Sequence, residues 1–297
     1  MMCRVVFLLV AVVLAGSGCR TSTVRRSDGE LKGFAEAGKS AYEQNAPAKA
    51  AILYGQAYER GLLIDQPLEA GRNAYNAALC HLSMNHLVEA AGMLGEARRL
   101  LGADAKAMAK VDMAEAEMAY RRGDRKAAGE LAKRVMATGA GAPERCQAAV
   151  LLAEIALADQ EAVAALSWYK VACGVRREGV GQRLLARRDG VGGRLARGGA
   201  LKGSAGGLYA AQAVLLREGG AYGEMAEALM NAGDAFVAEG RFADAFGCYE
   251  RAVNSWVAAG DKASAAGGVV KAVGLGSQLA GTVYEERIRL LRQRVGQ

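Results

Sequence analysis

Gly33 to Ser40 reads GFAEAGKS, with Gly38, Lys39 and Ser40 where a phosphate-binding loop carries its glycine, lysine and hydroxyl. That chemistry, nucleoside triphosphate binding, needs a buried strand that delivers a glycine-rich loop, with backbone amides and a helix N-terminus facing the phosphates. The residues before it, RRSDGELK, are polar and contain no apolar strand, and Glu36 would put a carboxylate inside the cradle. The same residues suit a packed first helix, with Gly38 as its small contact position. A P-loop-like nucleotide-binding enzyme is thus the remote alternative. Gly179-Val180-Gly181 and Gly190-Val191-Gly192 carry Leu184 and Leu195 where a dinucleotide fingerprint needs its third glycine, and read as loop glycines.

Acid–base and metal chemistry find little material. His81 and His86 are the two histidines of the chain, five apart rather than the four that would align them on one helix face, so packing or surface roles are expected and no metal site. The chain therefore reads as non-enzymatic, with no cofactor. Of six cysteines, Cys80 and Cys248 have apolar helical neighbours and read as core residues. Cys146 lies thirteen residues before Asp159-Gln160 and Cys173 thirteen after it, which returns them to one level of an antiparallel hairpin and makes a Cys146–Cys173 disulfide the expectation.

The elements that would position these residues are helical. Three prolines in 297 residues, abundant alanine and no sustained apolar/polar alternation favour helices and exclude an extended β-architecture. Residues 1–18 have the layout of a secretory signal: Arg4, an apolar run from Val5 to Ala15, then small residues. LAGSGC, Leu14 to Cys19, resembles the lipobox of bacterial lipoproteins, in which the cysteine is acylated and becomes the mature N-terminus. The resemblance implies lipidation at Cys19 and, because Arg20 rather than aspartate follows, sorting to an outer membrane with the protein facing the periplasm. Residues 19–29 then read as a polar tether.

The repeat is clearest in LMNAGDAFVAEGRFADAFGCYERAV, Leu229 to Val253. Its Gly233, Phe236, Gly240-Arg241, Phe242, Ala245, Tyr249 and Ala252 resemble a tetratricopeptide repeat. Equivalents of Ala245 fall at Ala50, Ala90, Ala128 and Ala164, with steps of 40, 38 and 36 that exceed the 34 residues usual for that family. The resemblance implies an all-α fold, an α-solenoid of about six stacked antiparallel helix hairpins over 30–174, 175–220 and 221–297. The middle stretch is expected to be a degenerate hairpin with helices at Gln182–Arg188 and Leu208–Glu218, and a glycine-rich loop from Gly190 to Gly207. Lys262–Ala280 and Val283–Arg294 would form the last, capping pair.

Net charge is +7, and the excess concentrates between Val175 and Gly203, where Arg176, Arg177, Arg183, Arg187, Arg188, Arg194, Arg197 and Lys202 face two acids. As a loop, this segment could be simply solvated, contact anionic lipid or cell-wall polymer, or dock an acidic protein. Nucleic acid is not an expected partner, since no aromatic residue lies between Gly174 and Gly207 to stack on bases. The tetratricopeptide resemblance implies a scaffold or adaptor that holds a protein or peptide in a groove lined by first helices, with Asn73, Asn76, Asp112, Asn231 and Asp234 as candidate lining. Related lipoproteins serve outer-membrane or secretion/pilus assembly. The alternative is a structural envelope protein that binds lipid or peptidoglycan through the basic segment.

Overall fold

A computed structural model describes residues 28–279 and 281–296, and among them there are fourteen helices and no strand. They pair in chain order: α1 (Gly29–Glu43) with α2 (Pro47–Leu63), α3 (Pro67–Ser83) with α4 (Leu87–Leu101), α5 (Ala105–Arg121) with α6 (Arg125–Ala137), and α7 (Ala142–Ala158) with α8 (Ala162–Gly174). The second half continues with α9 (Gln182–Arg197) and α10 (Ala205–Glu218), α11 (Tyr222–Ala238) and α12 (Phe242–Ala258), and α13 (Lys262–Gly274) and α14 (Thr282–Val295). Each helix packs on its neighbours in sequence, which makes the molecule an α-solenoid of stacked antiparallel hairpins. Seven hairpins are present where about six were expected. The signal segment and Cys19 lie outside the described residues; among those described, no helix is long and apolar enough to cross a membrane.

Most junctions use one device. The helix ends, one residue follows, the next adopts a left-handed backbone, and the next caps the following helix. Asn45, Asp65, Asn85, Gly123, Gln160, Gly220, Gly240 and Gly260 are these left-handed residues. Such a turn is three residues long and reverses the chain, so successive helices must lie antiparallel and adjacent.

A second regularity sets the depth of packing. Sixteen residues separate a small residue on the first helix of a hairpin from its counterpart on the second, as in Gly38 with Tyr54, Ala78 with Leu94, Ala116 with Ala132, Ala153 with Tyr169, Gly193 with Tyr209 and Gly233 with Tyr249. At Gly38 and Gly233 a methyl group would come within 3.1 and 2.3 Å of the partner tyrosine ring. The small alanines near the start of the second helices, Ala50, Ala90, Ala128, Ala165 and Ala245, are fully enclosed, and Ala205 nearly so. In the fourth hairpin the position belongs to Ala165, not to Ala164 as read from the sequence, because Ala164 is half-exposed on the side of α8.

The segment expected to be a long glycine-rich loop is mostly helix. α9 runs unbroken to Arg197 and α10 starts at Ala205, so the connection is only residues 198–204. Glycine costs about 1 kcal/mol per helical residue relative to alanine, but three glycines here are required by contact. A Cβ would meet the amide of Gln212 at 2.9 Å from Gly190, the hydroxyl of Tyr169 at 2.6 Å from Gly192, and the ring of Tyr209 at 2.7 Å from Gly193. α9 is wedged between α8 and α10, and tertiary packing overrides local propensity.

Candidate functional site

The first helices of successive hairpins line one face of the solenoid, and at its N-terminal end two depressions follow one another across them. The first, about 450 Å³, lies between α1 and α3, with Lys32, Glu36 and Lys39 on one side, Glu69, Asn73 and Asn76 on the other, and Tyr54 of α2 at its floor. The second, about 330 Å³, lies between α3 and α5 and is bordered by Arg72, Tyr75, Asn76, Lys106 and Lys110. Asn76 borders both, so the two depressions adjoin along α3 and form the two halves of one polar groove face.

Electrostatics distinguish the two halves. In the first, lysines are matched within their own helix: Lys32 with Glu36 at 3.7 Å and Lys39 with Glu43 at 3.8 Å. In the second, Arg72 is held by Glu69 at 2.7 Å, whereas Lys106 and Lys110 have no ion-pair partner among the described residues. They stand four apart on one face of α5. The carboxylate of Asp104 that shares this depression already accepts hydrogen bonds from the amides of Lys106 and Ala107 at 3.0 and 3.1 Å. The α3–α5 half is the cationic end of the groove.

The structure separates the five candidate lining residues. Asn76 is half-buried in the groove wall. Asn73 is 4% exposed and its side-chain amide donates to the carbonyl of Glu69 at 2.9 Å, so it serves α3 more than a ligand. Asp112 is buried in an ion-pair cluster with Arg98, which also binds Glu115, and with Arg134 at 3.8 Å. Asp234 accepts from the hydroxyl of Tyr249 at 2.7 Å and from Lys271 at 2.6 Å, tying α11, α12 and α13 together. Asn231 is exposed, and its backbone carbonyl takes a hydrogen bond from Arg197 at 3.1 Å. Lys106, Lys110 and Arg72 were not singled out in the sequence; the signal was two lysines at helical spacing on the outward face of α5, beside Asn76.

The basic segment is likewise not a free loop. Arg187 is clamped by Glu154 and by Glu117 at 2.8 Å, so it fastens α9 to α7 and α5. Arg188 is 4% exposed and bound to Asp189 at 2.8 Å. Arg194 reaches Glu154 at 3.4 Å and Arg183 reaches Glu224 at 3.8 Å. Arg197 lies 4.9 Å above the ring of Tyr209. Arg176, Arg177 and Lys202 are exposed with no ion pair among the described residues. Arginines that looked like a solvent-facing patch are mainly the ties that hold α9.

Gly33 to Ser40 lies inside α1, whose N-cap is Asp28, with Lys39 turned to solvent, so the segment forms no phosphate-cradling loop. Cys80, Cys146, Cys173 and Cys248 are free thiols. The hairpin does bring the expected pair to one level, since Cys146 Sγ lies 4.0 Å from the carbonyl of Ala172, but Cys146 is buried, Cys173 is exposed and the bridge is not formed. His81 and His86 have ring centroids 6.1 Å apart, and burial holds the His81 imidazole below its usual titration range. Among the described residues no group of three or more potential ligands is placed to hold a metal.

Fold and groove together define a tetratricopeptide-like α-solenoid with a polar, partly cationic first-helix face. Among solved structures the chain is similar to a tetratricopeptide repeat protein from Parabacteroides merdae, with 16% identity and a TM-score of 0.44 over 89% of this chain and 99% of that one. No protein-family model matches the chain, and no curated protein does.

Proposed function

We propose that the protein is a non-enzymatic scaffold or adaptor that holds an extended segment of a partner protein in the first-helix groove. The observation that carries this reading is the pair of adjoining depressions across α1, α3 and α5, with Asn76 bordering both and the unpaired Lys106 and Lys110 at one end. A side-chain amide in the wall of a groove can fix a partner backbone by donating to its carbonyl and accepting from its N–H. Two lysines without internal partners favour a carboxylate there. In the same reading, supported by the signal-like residues 1–18 and the lipobox-like LAGSGC, the solenoid is carried on a lipid at Cys19, at the periplasmic side of an outer membrane. That is where assembly of outer-membrane, pilus or secretion components would need an adaptor. The basic segment supplies little to the alternative, a lipid- or peptidoglycan-binding structural protein, because Arg187 and Arg188 are consumed internally.

A photo-crosslinking residue placed at Asn76 in the full-length protein, in native envelopes, tests this directly. One discrete adduct at Asn76 that disappears with Lys110→Glu is the expected result, and a Cys19→Ser control should release the protein from the membrane fraction. An absence of protein adducts at Asn76, with adducts to lipid or wall material near Arg176 and Lys202, would contradict the groove reading.

A further inference from the structure

The opposite side of the solenoid carries a second depression that the groove reading does not use. It is about 480 Å³ and lies between α6 and α8, the second helices of adjacent hairpins, over the outer face of α7. Between Ala148 and Ala158 the α7 sequence is AAVLLAEIALA, in which Glu154 is the one polar residue, and Glu154 is taken up by Arg187 on α9. The rest of this stretch is apolar all round, as in a helix segment covered on every side. Leu152 and Ile155 form the floor of this slot, and the half-buried Trp168 of α8 forms one wall.

Gly129 stands in the facing wall, on α6. Unlike the glycines of α9, it is not demanded by internal packing, because a Cβ there would approach only the Cδ1 of Ile155, at 3.9 Å. The helix bears the glycine penalty of about 1 kcal/mol relative to alanine, and the slot stays open as a result. The rim on the same helix is Lys126, Glu130 and Lys133, exposed, without ion-pair partners among the described residues, and spaced over two turns as plus, minus, plus. Arg125 at the slot's end is neutralised by Asp159 at 2.9 Å, and Glu161 adds one negative charge at the start of α8. α6 and α8 are thirteen residues each, a run of about 20 Å at 1.5 Å per residue, which matches three to four turns of a helix laid between them.

We propose that this slot is a second docking site, for an amphipathic helix of a partner protein. The bound helix puts an aliphatic or aromatic side chain beside Trp168 and over Leu152 and Ile155. Along its α6 edge it presents carboxylates two turns apart, opposite Lys126 and Lys133, with a basic or neutral residue between them opposite Glu130. A half-buried tryptophan beside an apolar floor, rimmed by charge, is the arrangement in which a few contacts dominate an interface, while the charges set register and partner choice. The site is independent of the first-helix groove, so the solenoid can hold two partners at once.

The test uses the full chain with Trp256→Phe, which leaves Trp168 as the one tryptophan, and two synthetic fifteen-residue helical peptides. Both have one leucine–alanine face; one carries Glu, Lys, Glu along its edge and the other the reversed charges. The expected result is a blue shift of Trp168 emission with the first peptide, binding at least about tenfold tighter than the second. Lys126→Glu with Lys133→Glu should invert that preference. Gly129→Leu should abolish binding while leaving the thermal midpoint unchanged or higher, and Lys110→Glu, in the groove, should leave it intact. Equal binding of the two peptides, no emission change with either, or survival of binding in Gly129→Leu would overturn the proposal. So would sedimentation showing a dimer that Gly129→Leu dissolves, which would give the slot to a second copy. An emission shift with phosphatidylglycerol vesicles and none with the peptides would assign it to lipid and equally overturn it.

Discussion

Hairpins α9–α10 and α11–α12 are built on the same pair, Gly193 with Tyr209 and Gly233 with Tyr249, sixteen residues apart in each. In α11–α12 one glycine meets one tyrosine, aromatic and aliphatic residues fill the remaining interior, and the polar contacts, Asp234 with Tyr249 and Lys271, stay partly exposed. In α9–α10 three glycines of one helix are pressed from two sides, and a buried Arg188–Asp189 pair sits among them. Similar hairpins are therefore held by different forces. The first depends on apolar filling, the second on close backbone approach and internal charge pairing.

The sharpest break between them is the charge pair. Arg188→Met leaves the carboxylate of Asp189 buried and uncompensated, and should lower stability by about 3–5 kcal/mol. Adding Asp189→Asn should recover most of that loss, read as urea midpoints of the two variants. The corresponding change at the neighbouring hairpin, Lys271→Met on α13, removes the half-exposed partner of Asp234 and should cost less than about 1 kcal/mol.

Glycine-to-alanine changes have opposite signs at packed and at open positions. Gly193→Ala and Gly233→Ala put a methyl group against a tyrosine ring and should each destabilise by about 1–3 kcal/mol. Gly92→Ala and Gly95→Ala, in open positions on α4, should instead stabilise by about 0.5–1 kcal/mol each, because only helix propensity changes. Thermal midpoints of the four variants give the check. Equal and same-sign shifts would mean that the sixteen-residue pair does not set helix spacing.

This contrast explains what could be read in advance. α11–α12 was legible because the middle of α11 carries a single glycine, Gly233, whose cost is outweighed by good helix formers around it, and because Phe236, Ala245 and Tyr249 stand at repeat spacing. α9 was not, since Gly190, Gly192 and Gly193 speak against a helix by propensity, and only the ring of Tyr169 on one side and Gln212 and Tyr209 on the other explain them. The spacing of Gly193 and Tyr209 was nonetheless in the sequence, and with it Ala205 as the missing enclosed alanine. Candidate site residues were less legible, because a first-helix polar residue faces solvent or the neighbouring hairpin according to its register. Asp112 and Asp234 bind within the solenoid, Asn76 opens to the groove, and Lys106 and Lys110 stay unpaired because Glu69, the acid of α3, is taken up by Arg72, which no local pattern encodes.

The smallest expected effect is at the N-terminal edge. Asp28 caps α1 by accepting from the amide of Leu31 at 2.9 Å and binds Arg60 of α2. The Arg60 hydrogen bond, then the capping amide, hold the Asp28 carboxyl at about 2, below its ordinary 3.8. A carboxyl lowered on folding contributes stability above its unfolded value and loses it as pH falls through the folded one. Amide protection in the first turn of α1 should therefore decline between pH 3.8 and about 2, and Asp28→Asn should remove that pH dependence. α11, which has no side-chain cap, should show no matching step.

Hydrogen exchange across residues 182–204 distinguishes a packed α9 from a solvated loop. If α9 is a helix held by glycine contacts and internal ion pairs, amides from Arg188 to Leu195 should exchange as slowly as those of α11, with a sharp rise at 198–204. Uniformly fast exchange from Gly190 to Gly207 would restore the solvated basic loop and contradict the continuous solenoid.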